Sequence, residues 1–413
     1  MIPAPRSIPS GDSATASSTC ELRGLTGLRI VAAAWVLAFH FHFTNLAGVA
    51  EMVDVLGPLI TSGALGVDLF FVLSGFVIAY TYLEKLGPAL HLGATARFVW
   101  ARASRMWPVY ALVFHLFGIW LVARLVFGSD AQIAFQAVQP VISIDEWLEQ
   151  MFMVQVWGNA FLDGASWVGP TWSISAEWLA YLLFPVAALG FFRMRNLPLV
   201  VLGIGALALM GPIAWAYLSV GHPYYPGSWL VRILCGFGAG VLAFLVVRRL
   251  RAGGALWRTA GDGVRRSASV AAAVLPVLIV AGLWLGELFG PGRGGVVIVL
   301  FPVLVGAFAL ADRGPARRLS HRWAVYGGRL SYSLYLVHIP MFELYWLAQA
   351  YLPELGPGTV LGHVVGIGVV LATVPLAALA YHWVEVPGRR RMRALVPPAP
   401  AHYAPVRYVH AGG

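Results

Sequence analysis

Long apolar runs, broken by short polar connections, organise this chain. A helix needs about 20 mostly apolar residues to cross a hydrocarbon core roughly 30 Å thick. Such runs fall at 28–48, 61–83, 106–127, 171–192, 198–219, 229–247, 269–290, 294–312, 329–351 and 359–383. The pattern predicts an all-α, polytopic membrane helix bundle with about ten transmembrane helices. Residues 1–20 and 391–413 are rich in Pro, Ala and Ser and read as disordered tails on one membrane domain, 21–390. No internal repeat of fixed period is visible.

The polar connections alternate in character. Those after the second, fourth, sixth and eighth runs carry Lys85, Arg97, Arg102 and Arg105, then Arg193 and Arg195, then Arg248, Arg249, Arg251, Arg258, Arg265 and Arg266, then Arg313, Arg317, Arg318 and Arg322. The other connections hold Arg293 alone, and the longest, 128–170, has Asp130, Asp145, Glu146, Glu149 and Asp163 without a Lys or Arg. By the positive-inside rule the even-numbered loops and both termini lie in the cytosol, which predicts the inner (cytoplasmic) membrane.

Composition supports that picture. Of 413 residues, 59% are hydrophobic and 11% charged, against roughly 25% charged in soluble chains. The net charge of +10 is spread between the spans and does not form the basic face that a nucleic-acid reader needs. Cys20 and Cys235 are placed for no disulfide framework. Residues 1–20 lack the apolar stretch of a cleavable signal, so the first span is expected to direct insertion.

Ionisable groups at bilayer depth are costly and mark function or a buried partner. Arg29 and His40 are eleven residues apart in the first span, nearly three turns, hence on one face about 16 Å apart. They read as an anion contact near the cytosolic mouth with a general base near mid-membrane, or as a snorkelling Arg and a hydrogen-bonded His. Asp68 in the second span requires a His or Arg beside it, in a catalytic or a structural role. Arg102 and Arg105 share a face at the start of the third span and either bind phosphate or serve topology. Glu177 lies close to two turns inside the fourth span, near Trp172 and Trp178. It either orients a His or an acceptor hydroxyl, or caps the bundle. Ser331, Tyr335 and His338 make a polar stripe on the ninth span. His42, His115, His363, His382, Arg124 and Arg232 lie near span ends or outside any motif and read as structural. Metal-ligand spacing, a Gly-rich phosphate loop and a nucleophile elbow are all missing from the sequence.

In order along the chain, RGLTGLR with its following His40, GVDLFFVLSGFVI, RASRMWPVY, PTWSISAEW, SYSLYLVHIP and the terminal VEVP resemble the motifs of acyltransferase family 3. These are integral-membrane O-acyltransferases, and the resemblance covers about residues 21–390. It implies transfer of an acyl group, commonly acetyl, from cytosolic acyl-CoA to a hydroxyl of a carbohydrate or related acceptor. By the resemblance His40 is the catalytic base, Asp68 and Glu177 are catalytic acids either of which could partner it, and Arg29, Arg102 and Arg105 face the acyl-CoA. Trp172, Ser173, Tyr335 and His338 are candidate substrate contacts. Acyl-CoA is the donor substrate, and no tightly bound cofactor or metal is expected. Thr26 stands where the first motif often has Asp. No SGNH-type esterase domain follows the tenth span, so a stand-alone form is expected. The rival from another class is a proton-coupled secondary transporter, since intramembrane His, Asp and Glu also build proton relays. Inverted repeats would support it, and none is visible.

Overall fold

A computed structural model describes residues 22–128, 133–134, 136–251 and 255–396, without the side chains of 255–260. The predicted tail 1–20 and the end of the C-terminal tail lie outside the described residues. The helices are α1 (Arg23–Phe41), α2 (Ala47–Leu56), α3 (Pro58–Thr61), α4 (Leu65–Leu86), α5 (Leu92–Phe127), α6 (Ile144–Met151), α7 (Trp172–Met194), α8 (Leu199–Leu209), α9 (Gly211–Val220), α10 (Ser228–Arg251), α11 (Ala255–Glu287), α12 (Phe301–Leu310), α13 (Gly314–Leu319), α14 (Arg322–Tyr351), α15 (Val360–Ala380) and α16 (Val386–Ala394). Among the described residues there is no strand. Among the described residues, nine segments are long and apolar enough to cross a membrane. The protein is an all-α, multi-pass membrane protein.

Several predicted boundaries move, each for a local reason. The first span is shorter than 28–48 and ends at Phe41, so His40 occupies its last turn and not its middle. The third span starts far upstream of residue 106, because α5 runs for 36 residues and continues the apolar run into a charged stretch of good helix formers. The fifth span is two helices, broken at Met210 before Gly211-Pro212, where proline removes a backbone donor. The eighth begins as a 3-10 segment, Arg293–Leu300, before α12. The tenth ends in a π-helical turn, Tyr381–Glu385, and continues as α16 to Ala394, past the expected domain edge at 390. Pro387 lies at the start of α16.

The ninth predicted span is present as α14, yet it is not among the nine apolar segments. Its buried residues include Ser331, Ser333, Tyr335, His338 and Glu343. A helix with that face is stable in a membrane only when other helices cover it. The cover comes largely from α1, which packs along α14. A Cβ at Gly328 would lie 1.7 Å from the Thr26 carbonyl oxygen, so the two backbones meet where only glycine fits.

A second tight seam joins α4 to α10. A Cβ at Gly75 would fall 1.9 Å from the Phe237 carbonyl oxygen, and one at Gly240 would fall 2.1 Å from that of Val72. The arginine-rich ends of the helices are tied together by Arg248 to Glu84 at 2.7 Å, Arg23 to the Ser320 carbonyl at 3.0 Å and Arg251 to the Ala309 carbonyl at 2.6 Å. The predicted loop 128–170 also folds inward. Gln150, Gln155, Ser166 and Thr171 are buried, and a 3-10 turn, Gly169–Thr171, leads into α7. Irregular backbone survives at such depth when protein groups satisfy it.

Candidate active site

A buried histidine pair joins the last turn of α1 to α14. His40 Nδ1 and His338 Nε2 are 2.9 Å apart, and both residues are buried. Because each neutral ring has one donor and one acceptor nitrogen, one ring donates and the other accepts. Tyr335 and Phe342 on α14 contact the His338 ring, with centroids 5.7 and 5.8 Å away.

A cavity one turn along α14 gathers Arg29, Phe70, Ser173, Glu177, Ser331, Tyr332 and Tyr335. Arg29 Nε points to Ser331 Oγ at 3.4 Å, and its guanidinium stacks on Phe70 at 5.3 Å. Ser173 Oγ and Tyr335 OH are 2.7 Å apart, and the tyrosine donates to the Pro170 carbonyl at 2.7 Å. The inward-folded 3-10 turn therefore reaches the level of Tyr335. Glu177 Oε1 accepts from Tyr181 OH at 2.6 Å, and Tyr181 OH in turn lies 2.8 Å from Ser74 Oγ.

Beyond this cavity the predicted arginine pair divides. Arg102 donates to Tyr82 OH at 3.2 Å and stacks on Tyr82 and Tyr181 at 5.3 and 5.9 Å. Arg105 is ion-paired with the fully buried Glu385 of the π turn and lies over the Tyr332 ring at 5.5 Å. Ser333 Oγ donates to the other Glu385 oxygen at 2.8 Å. Sharing a face at i and i+3 thus gave the two arginines one direction but different partners. Arg29, Arg102 and Arg389 lie within electrostatic range of Arg105, so the site's arginine-rich end stays positive despite Glu385.

Asp68 lies elsewhere. Its carboxylate takes two hydrogen bonds from Arg232 on α10, at 2.9 and 2.8 Å, with both residues buried. Trp172 covers that guanidinium at 4.8 Å. Neither predicted acid sits against the His40 ring nitrogen: Asp68 is held by Arg232, Glu177 by Tyr181, and the partner is His338. From sequence Arg232 reads as structural, since it lies near a span end and outside any motif. The available signal was Asp68 itself, a carboxylate at bilayer depth that requires a cation. Glu385 stood in the VEVP motif with no assigned role, since a glutamate near a span end needs no buried partner until a helix brings one.

The geometry sets a buried imidazole pair at one end of a polar stripe and clustered guanidiniums at the other. A family profile described as an acyltransferase domain matches residues 22–382, and the chain belongs to that family, the one its motifs resemble. By that membership it is an acyltransferase, and the transporter reading falls. The chain is similar to the acyltransferase MdmB of Streptomyces mycarofaciens, 27% identical over 77% of this chain and 78% of that protein. It is also similar to YrhL of Bacillus subtilis, named as a peptidoglycan O-acetyltransferase, 24% identical over 89% of this chain. The match spans 54% of YrhL. A third relative is protein 2 of the picA locus in Rhizobium radiobacter, 29% identical over 45% of this chain and 91% of that protein. No solved structure matches the chain.

Proposed function

We propose that the protein moves an acyl group, acetyl in the simplest case, from acyl-CoA to a hydroxyl of a glycan or glycosylated acceptor, with His40 as general base. The buried hydrogen bond between His40 and His338 carries this reading. A base must offer a lone pair, so His40 keeps its proton on Nδ1, donates it to His338 Nε2 and presents Nε2 to the acceptor. His338 then takes the orienting role that the sequence left to a carboxylate. Nε2 of His40 removes the hydroxyl proton as the oxygen attacks the thioester carbonyl. The tetrahedral intermediate collapses, the C–S bond breaks, and the imidazolium returns the proton to the CoA thiolate. All atoms balance without a cofactor.

The donor enters from the arginine-rich end. Arg29, Arg102 and Arg105 face the CoA phosphates, and the acyl-pantetheine arm follows Tyr332 and Tyr335 to His338. His338 lies six residues beyond Tyr332 on α14, about 9 Å of helix. Acyl-CoA is cytosolic, which agrees with the charge pattern of the loops and with the cytoplasmic membrane. Ser173 and Trp172 belong to the acceptor side of the 3-10 turn. The glycan acceptor is supported by the peptidoglycan O-acetylation named for YrhL.

The test is acetyl-CoA consumption by the full chain in proteoliposomes with extracted cell-envelope glycans. Wild type is expected to release CoA. His40→Ala is expected to lose about 10²- to 10⁴-fold in rate, the usual contribution of a general base, while still binding acetyl-CoA. A silent wild type that binds no acyl-CoA would overturn the donor assignment; full activity in His40→Ala would overturn the base.

A further inference from the structure

On the opposite flank of the bundle, α8, α10, α11 and α12 enclose a groove of about 730 Å³ that plays no part in the site described above. Its walls are apolar, and small residues keep it empty: Gly203, Ala243, Ala271, Gly306 and Ala307 line it. A Cβ added at Gly203 or Gly263 meets nothing within 4 Å, and one at Gly306 meets only Val247, at 3.7 Å. The vacancy is therefore real space and not a close helix contact. α11 packs on α12 but touches α10 little, which leaves the groove open along its length. From Pro302 to Leu310 it follows α12 for eight residues, about 12 Å, most of one leaflet of a hydrocarbon core about 30 Å thick.

One end of the groove is marked by charge. Leu250 lines it at the arginine-rich end of α10, and Leu310 at the end of α12, three residues before Arg313. Arg249 and Arg251 stand on the α10 side, and Arg266 on α11 is exposed. Arg266 also borders an adjoining apolar pocket that shares Ser267, Ala271 and Val303 with the groove. The nearby acids are already engaged, since Asp262 and Asp312 both pair with Arg265. Arg266 has no carboxylate paired to it among the described residues. A one-leaflet apolar slot with unneutralised guanidinium at its membrane-surface end matches one class of molecule, with an anionic head and a long chain.

We propose that this groove binds an anionic glycerophospholipid from the leaflet on the arginine-rich side. One acyl chain fills the slot between α8 and α11, and the headgroup phosphate is held at Arg266. The site is separate from the acyl-transfer centre and does not depend on the donor or acceptor assigned there.

Native mass spectrometry of the full chain, purified in detergent and titrated with dioleoylphosphatidylglycerol or dioleoylphosphatidylcholine, tests it. Wild type is expected to retain a single phosphatidylglycerol about fivefold better than phosphatidylcholine, the difference one surface cation makes. Arg266→Gln should erase that preference. Gly203→Leu with Gly306→Leu, which fills the slot, should abolish retention of either lipid while the thermal unfolding midpoint holds. Equal retention of the two lipids by wild type would overturn the proposal, as would a folded, slot-filled double variant that keeps phosphatidylglycerol at the wild-type level. Should the double variant not fold, Arg266→Gln decides alone: an unchanged lipid preference rejects the site.

Discussion

At the scale of single residues, two buried pairings carry most of the meaning, and they have different natures. The His40–His338 pair is a buried ring-to-ring hydrogen bond. If His338 only orients His40, His338→Ala should lower kcat by about 10-fold or more with little change in the KM for acetyl-CoA; His338→Gln, which can still accept from Nδ1, should recover part of it. A KM effect with unchanged kcat would instead make His338 a substrate contact. The Asp68–Arg232 pair is ionic and dry. Removing one partner strands the other, so Arg232→Met should cost about 3–5 kcal/mol. Asp68→Leu combined with Arg232→Met should regain most of that, as read from thermal unfolding in micelles. A single variant as stable as wild type would show the pair to be dispensable. The sequence made His40 and Asp68 conspicuous, because ionisable groups at bilayer depth always are. It could not say which met which, since partners 164 and 298 residues away are matters of helix rotation.

At the scale of elements, the ten apolar runs were legible because a bilayer imposes length and apolarity on each helix independently. What escaped were the features set by neighbours: the break at Met210, the 3-10 entry to α12, the π turn at Tyr381–Glu385 and the buried course of residues 150–171. The π turn shows why. It brings Glu385 to Arg105 and Ser333, and single-turn π segments recur at functional sites. Glu385→Gln keeps the shape but leaves Arg105 uncompensated; we expect activity to fall about 10-fold, with a Tm decrease on unfolding, and an unaltered enzyme would remove Glu385 from the site's support. The α4–α10 seam makes a sharper structural prediction. Gly75→Ala places a methyl against the Phe237 carbonyl and should cost about 1–3 kcal/mol. Gly190→Ala, where a Cβ meets nothing within 4 Å, should be silent. Equal effects in the two variants would mean that the helices are not in this contact.

For the whole molecule, the alternation of arginine-rich and arginine-poor connections predicts sidedness. In a chain with Cys20 and Cys235 replaced by Ser, a cysteine at the exposed Asp262 should react with an impermeant maleimide only after the cells are opened. One at the exposed Glu51 of α2 should react in intact cells. The reverse pattern would place acyl-CoA on the wrong side of the site. The same asymmetry orders the chemistry, with guanidiniums at one end of the α14 stripe and the imidazole pair nearer the other.

A bilayer receives helices in the order in which they are made, each judged on its own apolarity. α14 is the long helix least suited to that test, and the partner that masks its polar face, α1, is synthesised nearly 300 residues earlier. During that interval His40 and Arg29 must wait in lipid or against a chaperoning surface with their intended neighbours unmade. Biogenesis therefore hinges on a reunion between the first helix and nearly the last. A chain halted before residue 322 should keep its other spans inserted yet be recognised by membrane quality control, because its oldest helix packs on α4 but still lacks α14 over its polar face.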